Sequence, residues 1–212
     1  RYRRIEEKIQ HLTRKNLKQR TEDVLGILEE GEIPWPTRGP NIFNNLVDKT
    51  DDLYREPSFA KLVKELYSSY QRSPQSSDED VFDVICKNVK PSYFPIRKES
   101  KAEKCIAKLK IFLPLDAGFS TRFLHRLLKD CVKSERNVHF VRVLKFLIRE
   151  GADPFHPIGG TDSFALFLEE FGQLLNGSSD SDSESTALTS SIINFLKEAL
   201  SRWEASRAKE ST

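Results

Sequence analysis

The side chains with most to offer chemically are the histidines and cysteines. His125, His139 and His156 fall in one stretch of the chain, together with Cys131. Imidazole nitrogens and thiolates bind zinc, and a structural site needs four of them converging. No pair here has the spacing of a zinc finger or of an HExxH helix, so they read as surface histidines and a core cysteine. A cysteine nucleophile needs an activating histidine, and no local signature supplies one for Cys86, Cys105 or Cys131. There is no GxSxG and no phosphate loop, and Gly159-Gly160 stands outside any GxGxxG context. The expectation is a non-enzyme with no catalytic residue, no cofactor and no metal.

Two charged stretches offer weaker chemistry. Residues 1–20 carry eight basic side chains (Arg1, Arg3, Arg4, Lys8, Arg14, Lys15, Lys18 and Arg20) against Glu6 and Glu7, a local +6. Such density grips phosphates. Yet Tyr2, Ile5, Ile9 and Leu12 recur at spacings of 3, 4 and 3, which favours a packed helix with a solvated basic face. The tract NGSSDSDSES places acids around Ser178, Ser179, Ser181 and Ser183, a setting for phosphorylation or a plain spacer. Over the whole chain 34 basic residues meet 32 acidic ones, so a net +2 draws it to no polyanion.

The elements that must position these residues are helical. Hydrophobic residues make up 38% of the 212 and charged residues 31%, a balance that favours a surface-rich helical architecture. Residues 1–30 read as one or two helices, ended by GEIPWPTRGP. After Glu56-Pro57-Ser58, a helix start, Phe59, Leu62, Val63, Leu66, Tyr67 and Tyr70 form one stripe. Further helices are expected over 81–89, 101–113, 120–133, 138–150, 163–175 and about 189–207, with no strand alternation. The class is all-α. The segments are an N-terminal helical region with a basic first helix (1–72), a linker with irregular helices (73–117), a repeat region (118–175), a disordered acidic serine-rich loop (176–188), and a capping helix (189–212) that turns Trp203 inward.

The most specific stretch runs from Val143 to Pro154. Its apolar residues cover more than half the helix circumference, so this helix is packed on two sides. Arg149 complements the carbonyl end, and Gly151 follows where positive φ is cheapest. Ala152 can tuck back under the helix end, and Asp153-Pro154 forces an extended turn. Gly159-Gly160 permits a reversal, and Asp162 can cap the next helix.

This stretch resembles the ankyrin repeat. Two apolar residues, a charge, three apolar residues, a basic residue, any residue and Gly-Ala-Asp match 143–153 position by position. Gly160, Asp162 and Phe164 fall where the family has a glycine, a capping threonine and the leucine of Thr-Pro-Leu-His; the proline and histidine are absent. Upstream, residues 118–125 (GFSTRFLH) resemble a looser start, in a unit enlarged around CVKSERN. The resemblance covers about 118–175. A fainter echo lies 120 residues earlier, where Gly31, Pro34, Trp35 and Gly39 parallel Gly151, Pro154, Phe155 and Gly159.

The resemblance implies an ankyrin-like helical repeat, or solenoid, with irregular flanking helices, and a protein-interaction or scaffolding module within a larger protein. Contact residues would sit at the turn tips: Phe155, His156 and Ile158, with Trp35 at the other turn. Gly151, Asp153, Pro154 and Gly160 would shape the turn. The implied partner is a protein, not nucleic acid. The alternatives are a nucleic-acid-binding domain led by the basic N-terminal helix, or a regulatory appendage of an enzyme elsewhere in the chain. An odd number of widely spaced cysteines in no CxxC pattern, no signal-peptide core and no membrane-length apolar run suit an intracellular setting, cytoplasmic or nuclear. The chain opens on RYRR without methionine and reads as a fragment.

Overall fold

The computed structural model describes every residue except 37–40, 74–77, 90–95, 132–134, 177–182 and 211–212. The described residues contain helices and no strand, only an isolated bridge between Ile158 and Thr161. The helices are α1 (Tyr2–Gln10), α2 (Leu17–Glu29), α3 (Asn41–Leu53), α4 (Pro57–Gln71), α5 (Asp78–Val89), α6 (Glu99–Phe112), α7 (Phe119–Lys129), α8 (Val138–Arg149), α9 (Ser163–Asn176) and α10 (Ser183–Glu210). Contacts divide the chain into two compact units: Arg1–Pro91 with Ala107–Asp116, and Ser92–Ile106 with Ala117–Thr212.

In the first unit α1 packs on α2 and α3, α2 on α4, and α3 on α5. Proline at the first turn of α4 costs no hydrogen bond, and the 3-4 spacing of Phe59, Leu62, Val63, Leu66, Tyr67 and Tyr70 puts all six in the core. Aromatic rings fill the centre. Trp35 meets Tyr2 edge-on at 5.8 Å, Tyr70 edge-on at 5.3 Å and Phe43 in a stack at 6.1 Å.

Residues 73–117, expected as a linker with irregular helices, carry the helices α5 and α6. Val81, Phe82, Ile85, Cys86 and Val89 of α5 are buried, as are Ala102, Cys105, Leu109, Ile111 and Phe112 of α6. Proline-rich connections on either side gave these two helices the look of a linker, but their apolar stripes are packed.

In the second unit α7 packs on α8 and α9, and α10 packs on α8 and α9. Two consecutive helix pairs are thus layered, first helix on first helix and second on second. Ion pairs bind the layers: Arg136 reaches Glu170 at 2.8 Å, and Arg149 reaches Glu198 at 2.7 Å. Asn137 caps α8 by accepting from the His139 and Phe140 N–H groups, while its amide donates to the Ile96 carbonyl at 2.9 Å. The buried Glu135 accepts the Ile96 N–H at 2.9 Å, so both peptide groups of Ile96 are fixed to the start of α8.

The serine-rich segment is corrected in part. Residues 177–182 lie outside the described residues, but α10 begins at Ser183 and takes in residues 183–188, which were expected to be loop. Acidic residues suit a helix N-terminus, and TALT continues into the helix; low complexity alone concealed this.

Candidate interaction surface

The turn after α8 is built as a helix stop. Gly151, with φ of 104°, donates its N–H to the Ile148 carbonyl at 3.2 Å, and Ala152 donates to the Leu147 carbonyl at 3.0 Å. This 5→2 and 6→1 pair is a Schellman motif, completed by the fully buried Ala152 methyl. The Asp153 N–H then donates to Thr121 Oγ1 at 2.9 Å, tying the turn to α7. Asp153 Oδ1 accepts the Phe155 N–H at 2.9 Å and holds the chain in an Asx turn.

The finger proper is a two-residue hairpin. Ile158 and Thr161 exchange backbone hydrogen bonds of 3.0 and 3.4 Å around Gly159 and Gly160, at φ of 61° and 88°. Positive φ at both central positions is the type I′ pattern, which glycine permits at least cost. Asp162 Oδ1 then accepts the Ala165 N–H at 2.7 Å and caps α9. The roles read from sequence for Gly151, Asp153, Gly160 and Asp162 therefore have geometric counterparts, and Pro154 is buried with its carbonyl accepting the Phe164 N–H at 2.8 Å.

The tip residues are less exposed than expected. His156 and Pro157 are exposed, but Phe155 and Ile158 are half-buried. The Phe155 ring leans on Phe164 at 4.7 Å and on Trp203 at 6.2 Å, so the finger is anchored by an aromatic trio. Trp35 is corrected outright. It is 3% exposed and packed among aromatic rings, which removes it from any contact surface. A tryptophan flanked by prolines looks like a loop tip in sequence, yet the turn folds it inward.

Trp203 moves the other way, from an expected core position to 40% exposure. The buried stripe of α10 is Ile192, Phe195 and Ala199, with Phe195 stacked on Phe167 at 3.9 Å. One residue further round lies a second stripe, Ile193, Leu196, Leu200 and Trp203, again at spacings of 3, 4 and 3. Ile193 is 41% and Leu200 45% exposed, and Leu168 on the adjoining α9 is 42% exposed. Among the described residues these four are all the large apolar side chains that stand exposed. The sequence signal was present, since α10 is apolar around more of its circumference than one contact requires.

Charge frames the back of this helix. Glu198 takes a bidentate hydrogen bond from Arg149, at 2.7 and 3.2 Å, and lies 3.5 Å from Lys145. That hydrogen bond holds the Arg149 guanidinium more basic than usual. His125, buried on α7, has its pKa lowered by burial first and by Lys129 second.

The basic N-terminal run is largely engaged. Arg4 pairs with Glu30 at 3.1 Å, Arg1 with Glu30 at 3.6 Å, Lys8 with Asp23 at 2.5 Å and Arg14 with Glu56 at 3.0 Å. Hydrogen bonds from Lys8, then Gln19, hold the Asp23 carboxyl below the usual carboxylate range. Arg3, Lys15 and Lys18 remain exposed. Among the described residues no group of three His, Cys, Asp or Glu side chains comes together as a metal would require, and no helix is long and apolar enough to cross a membrane. No protein family, curated protein or solved structure matches this chain.

Proposed function

We propose that this chain is a protein-interaction module whose second unit is of the ankyrin-repeat type, and that its contact surface is the apolar band on α9 and α10. One observation carries the proposal: every large apolar side chain exposed among the described residues lies on these two adjoining helices. Concentrated apolar exposure of this kind marks docking surfaces, whereas scattered single residues do not. The layering of α7 on α9 and α8 on α10, with a hairpin finger between the pairs, is the arrangement by which repeats bury their faces against neighbours. On this reading the band is the open end of the stack, and its partner offers an apolar helical face. Among the described residues Cys86, Cys105 and Cys131 form no disulfide, which supports an intracellular setting.

The pairing of Arg1, Arg4, Lys8 and Arg14 weighs against the nucleic-acid alternative, because those cations are already met by carboxylates. The test is the double substitution Ile193→Ser with Leu200→Ser, two exposed positions that carry no packing contact of the finger. It should leave the thermal melt near that of the parent while weakening partner binding by about 2 kcal/mol or more, the scale of an interface hot spot. Binding that instead falls steeply with added salt would support phosphate contacts.

A further inference from the structure

The first unit contains a cleft that the proposed interaction surface does not use. Its volume is about 340 Å³, within the roughly 300–1,000 Å³ typical of small-molecule sites. It opens where the C-terminal ends of α2 and α4 lie side by side. Leu28, Ile33 and Trp35 supply the apolar wall, and Ser69, Ser73, Glu32 and Arg72 the polar one.

Two features give this cleft a chemical preference. The Trp35 ring is held by Tyr2, Phe43 and Tyr70, so the apolar wall is rigid before anything binds. The wall also carries one charge of each sign. Among the described residues neither Glu32 nor Arg72 makes an ion pair: Arg72 Nε donates to the Ser68 carbonyl at 3.2 Å, and Glu32 offers only its backbone carbonyl, to Arg1. The ends of α2 and α4 add carbonyl dipoles that favour a cation. An anion would be drawn to Arg72, whose guanidinium matches a carboxylate.

We infer that this cleft binds a small zwitterion with an apolar body, that is, an apolar α-amino acid. Its carboxylate meets Arg72, its ammonium meets Glu32 and the end of α2, and its side chain lies against Leu28, Ile33 and Trp35. A peptide C-terminus would use only the first contact and a simple amine only the second. Both charges together select the free amino acid. This site is independent of the α9–α10 band, and either can fail without the other.

The chain has two tryptophans, so Trp203→Phe leaves Trp35 as the only indole reporter. In that background L-leucine and L-phenylalanine should each produce a saturable change in Trp35 emission. Leucinamide, which lacks the carboxylate, and N-acetyl-leucine, which lacks the ammonium, should bind about tenfold or more weakly. Arg72→Gln should erase the difference between leucine and leucinamide, and Glu32→Gln the difference between leucine and N-acetyl-leucine. Both substitutions fall on exposed residues, and an unchanged melt will show that the fold survives. No saturable response up to about 10 mM with any of these probes would overturn the inference. So would equal binding of the free and blocked ligands, or discrimination unaltered by both substitutions.

Discussion

Phe167 of α9 and Phe195 of α10 stack face to face, their centroids 3.9 Å apart and their planes 25° from parallel. Both side chains are fully buried, and Phe167 continues the stack to Phe171 at 4.7 Å. This contact decides which face of α10 is turned inward. With Phe195 held between the helices, Ile192 and Ala199 follow it into the core, and the neighbouring stripe through Leu200 and Trp203 is left at the surface.

Phe195→Ala should therefore cost about 3–5 kcal/mol of unfolding free energy, the usual range for a buried phenylalanine. Chemical denaturation measures it directly. A loss below about 1 kcal/mol would mean that α10 does not depend on this stack.

Gly151→Val should destabilise the protein by about 1 kcal/mol or more, because a β-branched residue resists a φ of 104°. An added Cβ would also come within 3.3 Å of Arg202 Nη2, a contact a flexible side chain can yield, so backbone strain is the larger effect. A thermal melt superimposable on the parent's would show that the Schellman stop contributes nothing.

Stability should decline as the solution is acidified below the ordinary histidine pKa of about 6.5. Burial lowers the pKa of His125 in the folded state, so just below that pH the unfolded chain binds the proton more readily. Where the unfolded state holds more protons, stability rises with pH and falls on acidification. The effect is absent above the unfolded pKa and grows until pH reaches the folded one. Denaturation curves for the parent and for His125→Gln, taken at intervals between about pH 7.5 and 5.5, isolate the contribution. Equal pH slopes for the two proteins would remove His125 from the account.

Much of the fold was legible because burial and periodicity agree. The stripe from Phe59 to Tyr70 and the two-sided helix around Leu144 and Leu147 read correctly, since each apolar position recurs where a helix turns it inward. The Gly151 stop was legible because glycine after a terminal cation has a specific backbone use. The surface was harder to read. Two adjoining apolar stripes on α10 differ by a single residue, and only the partner helix determines which one is covered. Trp35 illustrates the same difficulty in reverse, since its burial depends on Phe43 and above all on Tyr70, which is distant in sequence. The cleft beside it joins residues 28–35 to residues 69–73, a juxtaposition no local pattern encodes.

The measurement that bears most directly on the central claim is position-resolved photo-crosslinking in extract of the native cell. A benzophenone amino acid is placed singly at Leu168, Leu200 and Trp203 on the apolar band, and at Arg3, Lys15 and Lys18 on the basic surface. The three band positions should crosslink to one and the same protein, with yields that persist at high salt, and the three basic positions should not. Adducts confined to Arg3, Lys15 and Lys18, or nucleic acid captured there and lost with salt, would contradict it.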